Sequence, residues 1–393
     1  MTTNYGEVRV AALGCGMMGQ EHISYMGGYP HVKLVYLCDP EPKSIQDSLE
    51  MFNRVSPGET EPQVVESEEA LFNMIDSFDL LVIATPNHMH TPALLKWGLQ
   101  KISILCEKPI AVNQEQVAQL KAAAPSFQAN IWVAMEYRYI PAVQKLLELR
   151  SRVGDIKAVT IRENRFPFLS KVGEWNKKIS NTGDTLVEKC CHFMDLFRLI
   201  TGQEVHSCTS KVQRGIINYQ DGYNVEKNAE VNIIDSAYVL LDFDEGSEQA
   251  PHQRTMGCLE LCMYADGSRH QEEIIVTGTK GRLEAYLPEN KMYCYTRPSH
   301  ADWPDKSKPP PAASITEEVF DCSDLSVVYN FADSLPKHAG YHYGSTAVEW
   351  KFLLDAIERV RNGNGESFQA QVSLEDGIAA VEIGMLAQSK VNA

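Results

Sequence analysis

The sequence carries no excess of positive charge: 52 acidic residues face 36 lysines and arginines, for a formal net charge of −16. Nucleic acid and anionic membrane both demand a positive footprint, so neither is an expected partner. No apolar run approaches the ~18 residues of a membrane span. The opening MTTNYGEVRV lacks the basic-then-apolar order of a secretory signal. None of the ten cysteines falls in a C-x-x-C pair, which removes the common zinc and redox clips. Cys190 and Cys191 are adjacent, and Cys15, Cys38 and Cys106 sit in apolar runs. Reduced, buried thiols in a cytoplasmic protein without a metal are therefore expected. There is no internal repeat, and low complexity is confined to a short proline-rich stretch at 297–311, which reads as a surface loop.

What is present is an ordinary globular composition, 44% apolar over 393 residues, enough for two or three domains at roughly 150 residues each. Short runs rich in Val, Ile and Leu at 8–13, 32–38, 80–84, 102–106 and 131–135 predict strands buried on both faces. Helical patterns at 18–26, 68–75, 91–99 and 114–123 alternate with them, the third opening on Thr91-Pro92. This order predicts a doubly wound parallel sheet, a Rossmann domain over 1–137. Beyond it the runs 156–165, 205–214, 233–243, 256–264 and 273–295 mix polar and apolar positions, as a large, mostly antiparallel sheet with one covered face would. A helix is expected at 185–200 and two more at 345–361 and 374–390. The fold class is thus α/β, with a C-terminal α+β domain over 138–393.

Gly14-Cys15-Gly16-Met17-Met18-Gly19 follows the first strand and opens a helix, and Asp39 ends the second strand 20 residues after Gly19. In that order the glycines have separate tasks. Gly14 makes the tight turn, Gly16 lets the backbone approach a pyrophosphate, and Gly19 lets the helix pack on the strand. Met17 and Met18 open the helix, whose free amides and dipole face the phosphates. Asp39 accepts from the ribose hydroxyls and repels a 2′-phosphate, so NAD is the expected cofactor. Thr85-Pro86-Asn87-His88-Met89-His90 and Glu107-Lys108-Pro109 end two further expected strands, where open α/β sheets bind ligands. Thr85, Pro86, Asn87, His90, Glu107 and Lys108 join the expected cofactor site.

These segments, with Glu136-Tyr137-Arg138-Tyr139, the stretch from Thr185 to Asp195 and the closing Ser373-Leu374-Glu375-Asp376-Gly377, make the chain resemble the glucose-fructose oxidoreductase/inositol dehydrogenase (Gfo/Idh/MocA) family over nearly its whole length. The resemblance implies that Lys108 contacts the reacting substrate hydroxyl and that His192 is the acid/base. It also implies that Glu188 replaces the family's usual aspartate. Glu188, His192 and Asp195 are spaced i, i+4, i+7 and so share one face of the helix expected at 185–200, where Glu188 or Asp195 would orient the imidazole. Lys189 and Cys190 depart from the family pattern. Lys189 borders the same face and either acts on the substrate or points to solvent. Tyr137, Arg138, Arg165, Trp175 and His342 are further candidates for substrate contacts.

The expected reaction is NAD-dependent hydride transfer to or from a hydroxyl carbon of a sugar, sugar acid or cyclic polyol. The alternative is an NAD-dependent glycoside hydrolase working by transient oxidation, elimination, water addition and re-reduction, with Lys189 or Tyr137 as the additional base. A non-enzymatic sensor is disfavoured because Lys108 and His192 are intact. Lys108, Lys189, Arg138 and Arg165 together suggest an anionic substrate. The resemblance implies a homodimer or homotetramer through the outer face of the second sheet.

Overall fold

The computed structural model describes residues 6–215, 233–243, 254–298, 303, 305–309, 314–335, 342–363 and 367–391. Val8–Leu13 (β1), Val32–Cys38 (β2), Gln63–Val64 (β3), Leu80–Ile83 (β4), Ser103–Glu107 (β5) and Asn130–Ala134 (β6) form one parallel sheet in the order β3-β2-β1-β4-β5-β6. β4 and β5 are buried at every position, as strands covered on both faces must be. The strand order reverses between β1 and β4, so the ligand crevice of such a sheet lies beyond their carboxyl ends. Gly14, Asp39, Thr85 and Lys108 all sit there in sequence, one or two residues past a strand. Met17–Met26 (α1), Pro42–Val55 (α2), Glu68–Phe72 (α3), His90–Trp97 (α4) and Gln114–Ala123 (α5) run between the strands. The expected Rossmann architecture is borne out. α2 escaped the sequence reading because it buries only Ser44, Ser48 and Phe52, too thin an apolar stripe to register.

The second sheet contains Ile156–Asn164 (β7), Ser207–Arg214 (β8), Ile234–Asp242 (β9), Met256–Cys262 (β10), Glu272–Gly278 (β11), Gly281–Leu287 (β12), Lys291–Thr296 (β13) and Thr316–Asp321 (β14). Its order is β14-β13-β12-β11-β7-β10-β9-β8, antiparallel except where β7 and β10 run parallel. The run 273–295, read as one long strand, is three. Gly278 and Gly281 flank the first turn, and Asn290 takes the left-handed conformation (φ 53°) in the second. Pro141–Leu149 (α6) packs on β12 and β13. Of the proline-rich stretch, residues 299–302, 304, 310 and 311 lie outside the described residues.

The helix expected over 185–200 is interrupted. Ile179–Thr182 (α7) and Thr185–Glu188 (α8) precede Cys191–Thr201 (α9), and the Cys190 amide reaches back to the Thr185 carbonyl at 3.1 Å, one residue beyond the α-helical pattern. Glu188 and His192 therefore do not share one continuous helical face. Ser345–Arg361 (α10) and Leu374–Ser389 (α11) follow the expected positions.

The chain forms two compact units. The first comprises 1–136, 169–191 and 334–382, and the second 137–168, 192–333 and 383–393. Whereas the sequence reading placed everything after 137 in the second domain, the chain returns to the first unit twice. Within that unit Tyr29 Oη donates to the Ala347 carbonyl at 2.6 Å, and the Val133 amide to the Val372 carbonyl at 3.1 Å. Among the described residues no helix is long and apolar enough to cross a membrane.

Candidate active site

The glycine turn is built by exclusion of side chains. Gly14 has φ +98°, and a Cβ there would lie 2.4 Å from the Ala84 carbonyl carbon. A Cβ on Gly19 would lie 2.2 Å from the Gly14 oxygen, so β1 and α1 can approach only with glycine at both places. Gly16 differs: no atom lies within 4 Å of a Cβ built on it, and it opens α1 with no side-chain cap. α1 thus opens beside unfilled space at Gly16, with Met17 exposed and Met18 half-buried. Asp39 accepts from the Cys15 amide at 2.7 Å and from the Glu41 amide at 2.8 Å, tying β2 to the turn. Cys15 is fully buried, and burial pushes its thiol up to about 12, so it is no nucleophile.

Past β4, Pro86 precedes the turn Asn87–Met89. The buried atoms Thr85 Oγ1 and Asn87 Nδ2 have no hydrogen-bond partner among the described residues. Such atoms, together with the open cradle over Gly16, fit a dinucleotide that supplies the missing partners. Because Asp39 keeps its carboxylate at the end of β2, NADP is expected to bind at least about tenfold more weakly than NAD. Titration with both cofactors checks this, and equal affinity would remove Asp39 from the ribose.

Two expected cofactor contacts are engaged elsewhere. His90 is buried, with Nδ1 2.8 Å from the Pro109 carbonyl and Nε2 2.8 Å from the Thr85 carbonyl, so it staples the two strand-end loops. Glu107 is also buried, with Oε1 2.9 Å from His22 Nε2 and Oε2 accepting from the Lys108 amide at 3.2 Å.

Lys108 Nζ donates to the Glu188 carbonyl at 3.3 Å. Burial alone would lower its pKa, but the carboxylates of Glu188, Glu136 and Glu107 outweigh it and hold the ammonium above the ordinary lysine value. Glu188 is buried, and its Oε2 has no hydrogen-bond partner among the described residues. Lys189 lies at the helix interruption and is only 6% exposed, which overturns the solvent alternative. His342 does not offer its ring to a substrate. Its Nδ1 lies 2.8 Å from Glu21 and its Nε2 3.2 Å from Glu136. Desolvation lowers its pKa, but Glu136 and Glu21 reverse the sign and hold it above the usual histidine value.

In the second unit, His192 stacks on Tyr137 with ring centroids 4.4 Å apart and planes 13° from parallel. Tyr137 Oη donates to Glu272 Oε1 at 2.8 Å. Arg138 grips Asp195 through two 2.5 Å hydrogen bonds, with both side chains buried. Arg138 and Asp195 thus engage each other through a bidentate pair. Arg165 lies over the rings of Phe166 and Phe168, at 5.1 and 5.2 Å, and 3.7 Å from Glu163. Trp175, in the first unit, carries Lys171 Nζ 4.7 Å from its ring centroid, so the expected stacking platform already has a cation on it. The sequence reading missed His22, Trp350, Glu21 and Glu272. Their partners stand between 85 and 328 positions away, and no local motif marks them.

The sequence matches the description "Oxidoreductase family, NAD-binding Rossmann fold" over residues 8–135 and "Oxidoreductase family, C-terminal alpha/beta domain" over 148–392. It is 26% identical over 206 residues to inositol 2-dehydrogenase of Rhizobium meliloti (strain 1021), covering 52% of this chain and only 58% of that protein. It is 22% identical over 289 residues to 2,7-anhydro-N-acetylneuraminate hydratase of Escherichia coli (strain K12), covering 73% of this chain and 68% of that one. A levoglucosan dehydrogenase solved with NADH superposes with a TM-score of 0.72 at 18% identity, covering 98% of each chain, a likeness of fold. With family matches to both halves, the chain belongs to the Gfo/Idh/MocA family of NAD-binding oxidoreductases.

Proposed function

We propose that the protein moves a hydride between NAD and a hydroxyl carbon of a sugar, sugar acid or cyclic polyol. Gly14, Gly16, Met17, Met18, Gly19, Asp39, Thr85, Pro86 and Asn87 would hold the cofactor. When bound, NAD supplies the redox chemistry. One observation carries the reading: Lys108 stands directly after β5 with its Nζ 3.3 Å from the Glu188 carbonyl, where an ammonium can hold a developing alkoxide. His192 takes the hydroxyl proton, with its ring plane set by the stack on Tyr137. Incubation with NAD and a panel of sugars, polyols, sugar acids and glycosides tests this, following cofactor absorbance and product identity together. Net cofactor reduction with a free sugar or polyol is the expected result, and none with any of them would reject it. The exposed Tyr238, Leu240 and Met256 on the second sheet support association into a homodimer or homotetramer.

A second reading, redox-neutral cleavage of a glycoside, is favoured by the burial of Lys189, a possible additional base, and by the hydratase among the relatives. With Arg138 bound to Asp195, the case for an anionic substrate rests chiefly on Lys189. Lys189→Ala is expected to lower kcat/KM for an anionic sugar by about tenfold more than for its neutral analogue, one charge-assisted contact's worth. If Lys189 serves elimination, the variant loses aglycone release yet still reduces the cofactor transiently. Equal losses on both sugars, with no glycoside cleaved by the wild type, would reject both roles.

A further inference from the structure

Trp350, His22 and Glu107 are buried in the first unit and joined end to end. The Trp350 indole Nε1–H on α10 donates to His22 Nδ1 on α1 at 3.0 Å. His22 Nε2 lies 2.9 Å from Glu107 Oε1 at the end of β5, and Glu107 Oε2 accepts from the Lys108 amide at 3.2 Å. The two rings meet edge to face, with centroids 6.0 Å apart at 62°. An indole N–H can only donate, so the His22 Nδ1 facing it must present its lone pair. The ring proton then sits on Nε2 and points at the carboxylate. An imidazolium would set two N–H groups against each other at Trp350.

We infer that Trp350 and His22 are positioning residues for Lys108: Trp350 selects the His22 tautomer, His22 fixes the Glu107 carboxylate, and Glu107 fixes the backbone from which the lysine springs. Burial alone would raise the Glu107 pKa, but the hydrogen bond from His22 and the charge of Lys108 bring it below the ordinary value. The ionised carboxylate in turn helps keep Lys108 charged. Nothing near Lys108 in sequence announces this chain, because its far end lies 328 positions from His22. The catalytic consequence rests on the role proposed for Lys108 above, whereas the connection itself does not.

The connection is tested on the full-length protein without turnover. In protein labelled with 15N-histidine, ring correlations at neutral pH should report His22 as the neutral Nε2–H tautomer, its signal assigned by loss in His22→Gln. In Trp350→Phe, which removes the N–H donor together with the indole's second ring, that signature should be lost. Acetylation of Lys108, read by peptide mass spectrometry against exposed lysines, should speed up by about tenfold in His22→Leu, one hydrogen bond's worth to a charged group. Gln keeps a donor for Glu107, so His22→Gln should stay within about threefold of wild type. A wild-type ring protonated at Nδ1 overturns the proposal, as does wild-type Lys108 labelling in His22→Leu. Should His22→Leu fail to fold, Lys108 labelling in Trp350→Phe decides, and a wild-type rate there overturns the proposal equally. Full turnover by Lys108→Met would remove the catalytic role but leave the tautomer and labelling results standing.

Discussion

Lys108→Met is expected to lower kcat by about 10²-fold or more while NAD affinity changes little. The ammonium has three properties that methionine lacks: charge, donors and a compact hydrated head. Burial at the end of β5 would normally favour its neutral form, but the carboxylates of Glu188, Glu136 and Glu107 tip the balance the other way. Three acidic neighbours thus keep one cation charged. Such an arrangement has its largest effect on a group that becomes negative during reaction, as a hydroxyl losing hydride does. Removal of one such contact is worth on the order of 3 kcal/mol, which sets the hundredfold figure. Methionine fills similar volume, and a denaturation midpoint measured beside the kinetics separates any loss of stability from the loss of chemistry. The check is single-turnover kinetics beside direct cofactor titration. Near-normal turnover would take Lys108 out of the mechanism.

The second large effect concerns stability. Arg138→Met should cost ~3–5 kcal/mol of unfolding free energy, because it removes one partner of a buried ion pair. Asp195 is 0% exposed and Arg138 8%, and the two bonds joining them are each 2.5 Å. Asp195 would lose its bidentate partner while staying buried, a costly way to break such a pair. Typical domains hold only about 5–15 kcal/mol, so the shift in denaturation midpoint should be unmistakable. Arg138→Met combined with Asp195→Leu should regain most of the loss, since two apolar side chains leave no stranded charge. A single variant as stable as wild type would show that the pair contributes little. A double variant no better than the single would show that the guanidinium matters for its packing instead.

The parts of this molecule legible in sequence are those whose physics is local. β1 and β2 fall where runs of Val, Leu and Ala demand buried strands, and the glycine turn is marked by residues a Cβ would forbid. α11 and α10 announce themselves by length. Lys108 and His192 stood out through family resemblance. The rest depended on tertiary structure. No periodicity reveals that α8 and α9 are separated at Lys189 and Cys190, because neither glycine nor proline marks the break. Arg138 and Asp195 were both singled out, yet their mutual engagement is invisible until α9 and the segment after β6 are placed together. His90 looked like a ligand because it lies in a ligand-binding motif, and it turned out to spend both nitrogens on backbone carbonyls.

The return of α10 to the first unit has a consequence for synthesis. A ribosome delivers β1 to β6 more than two hundred residues before Trp350 emerges. Until then His22 lacks the donor that sets its tautomer, Tyr29 lacks the Ala347 carbonyl, and Val133 the Val372 carbonyl. The nascent nucleotide-binding half is therefore an unfinished object throughout translation of the second sheet, and its completion requires contacts of very long sequence separation, the kind that form slowly. Maturation of the cofactor site is in this way tied to near-completion of the polypeptide, so a truncated translation product would leave the ribosome without the fully braced lysine.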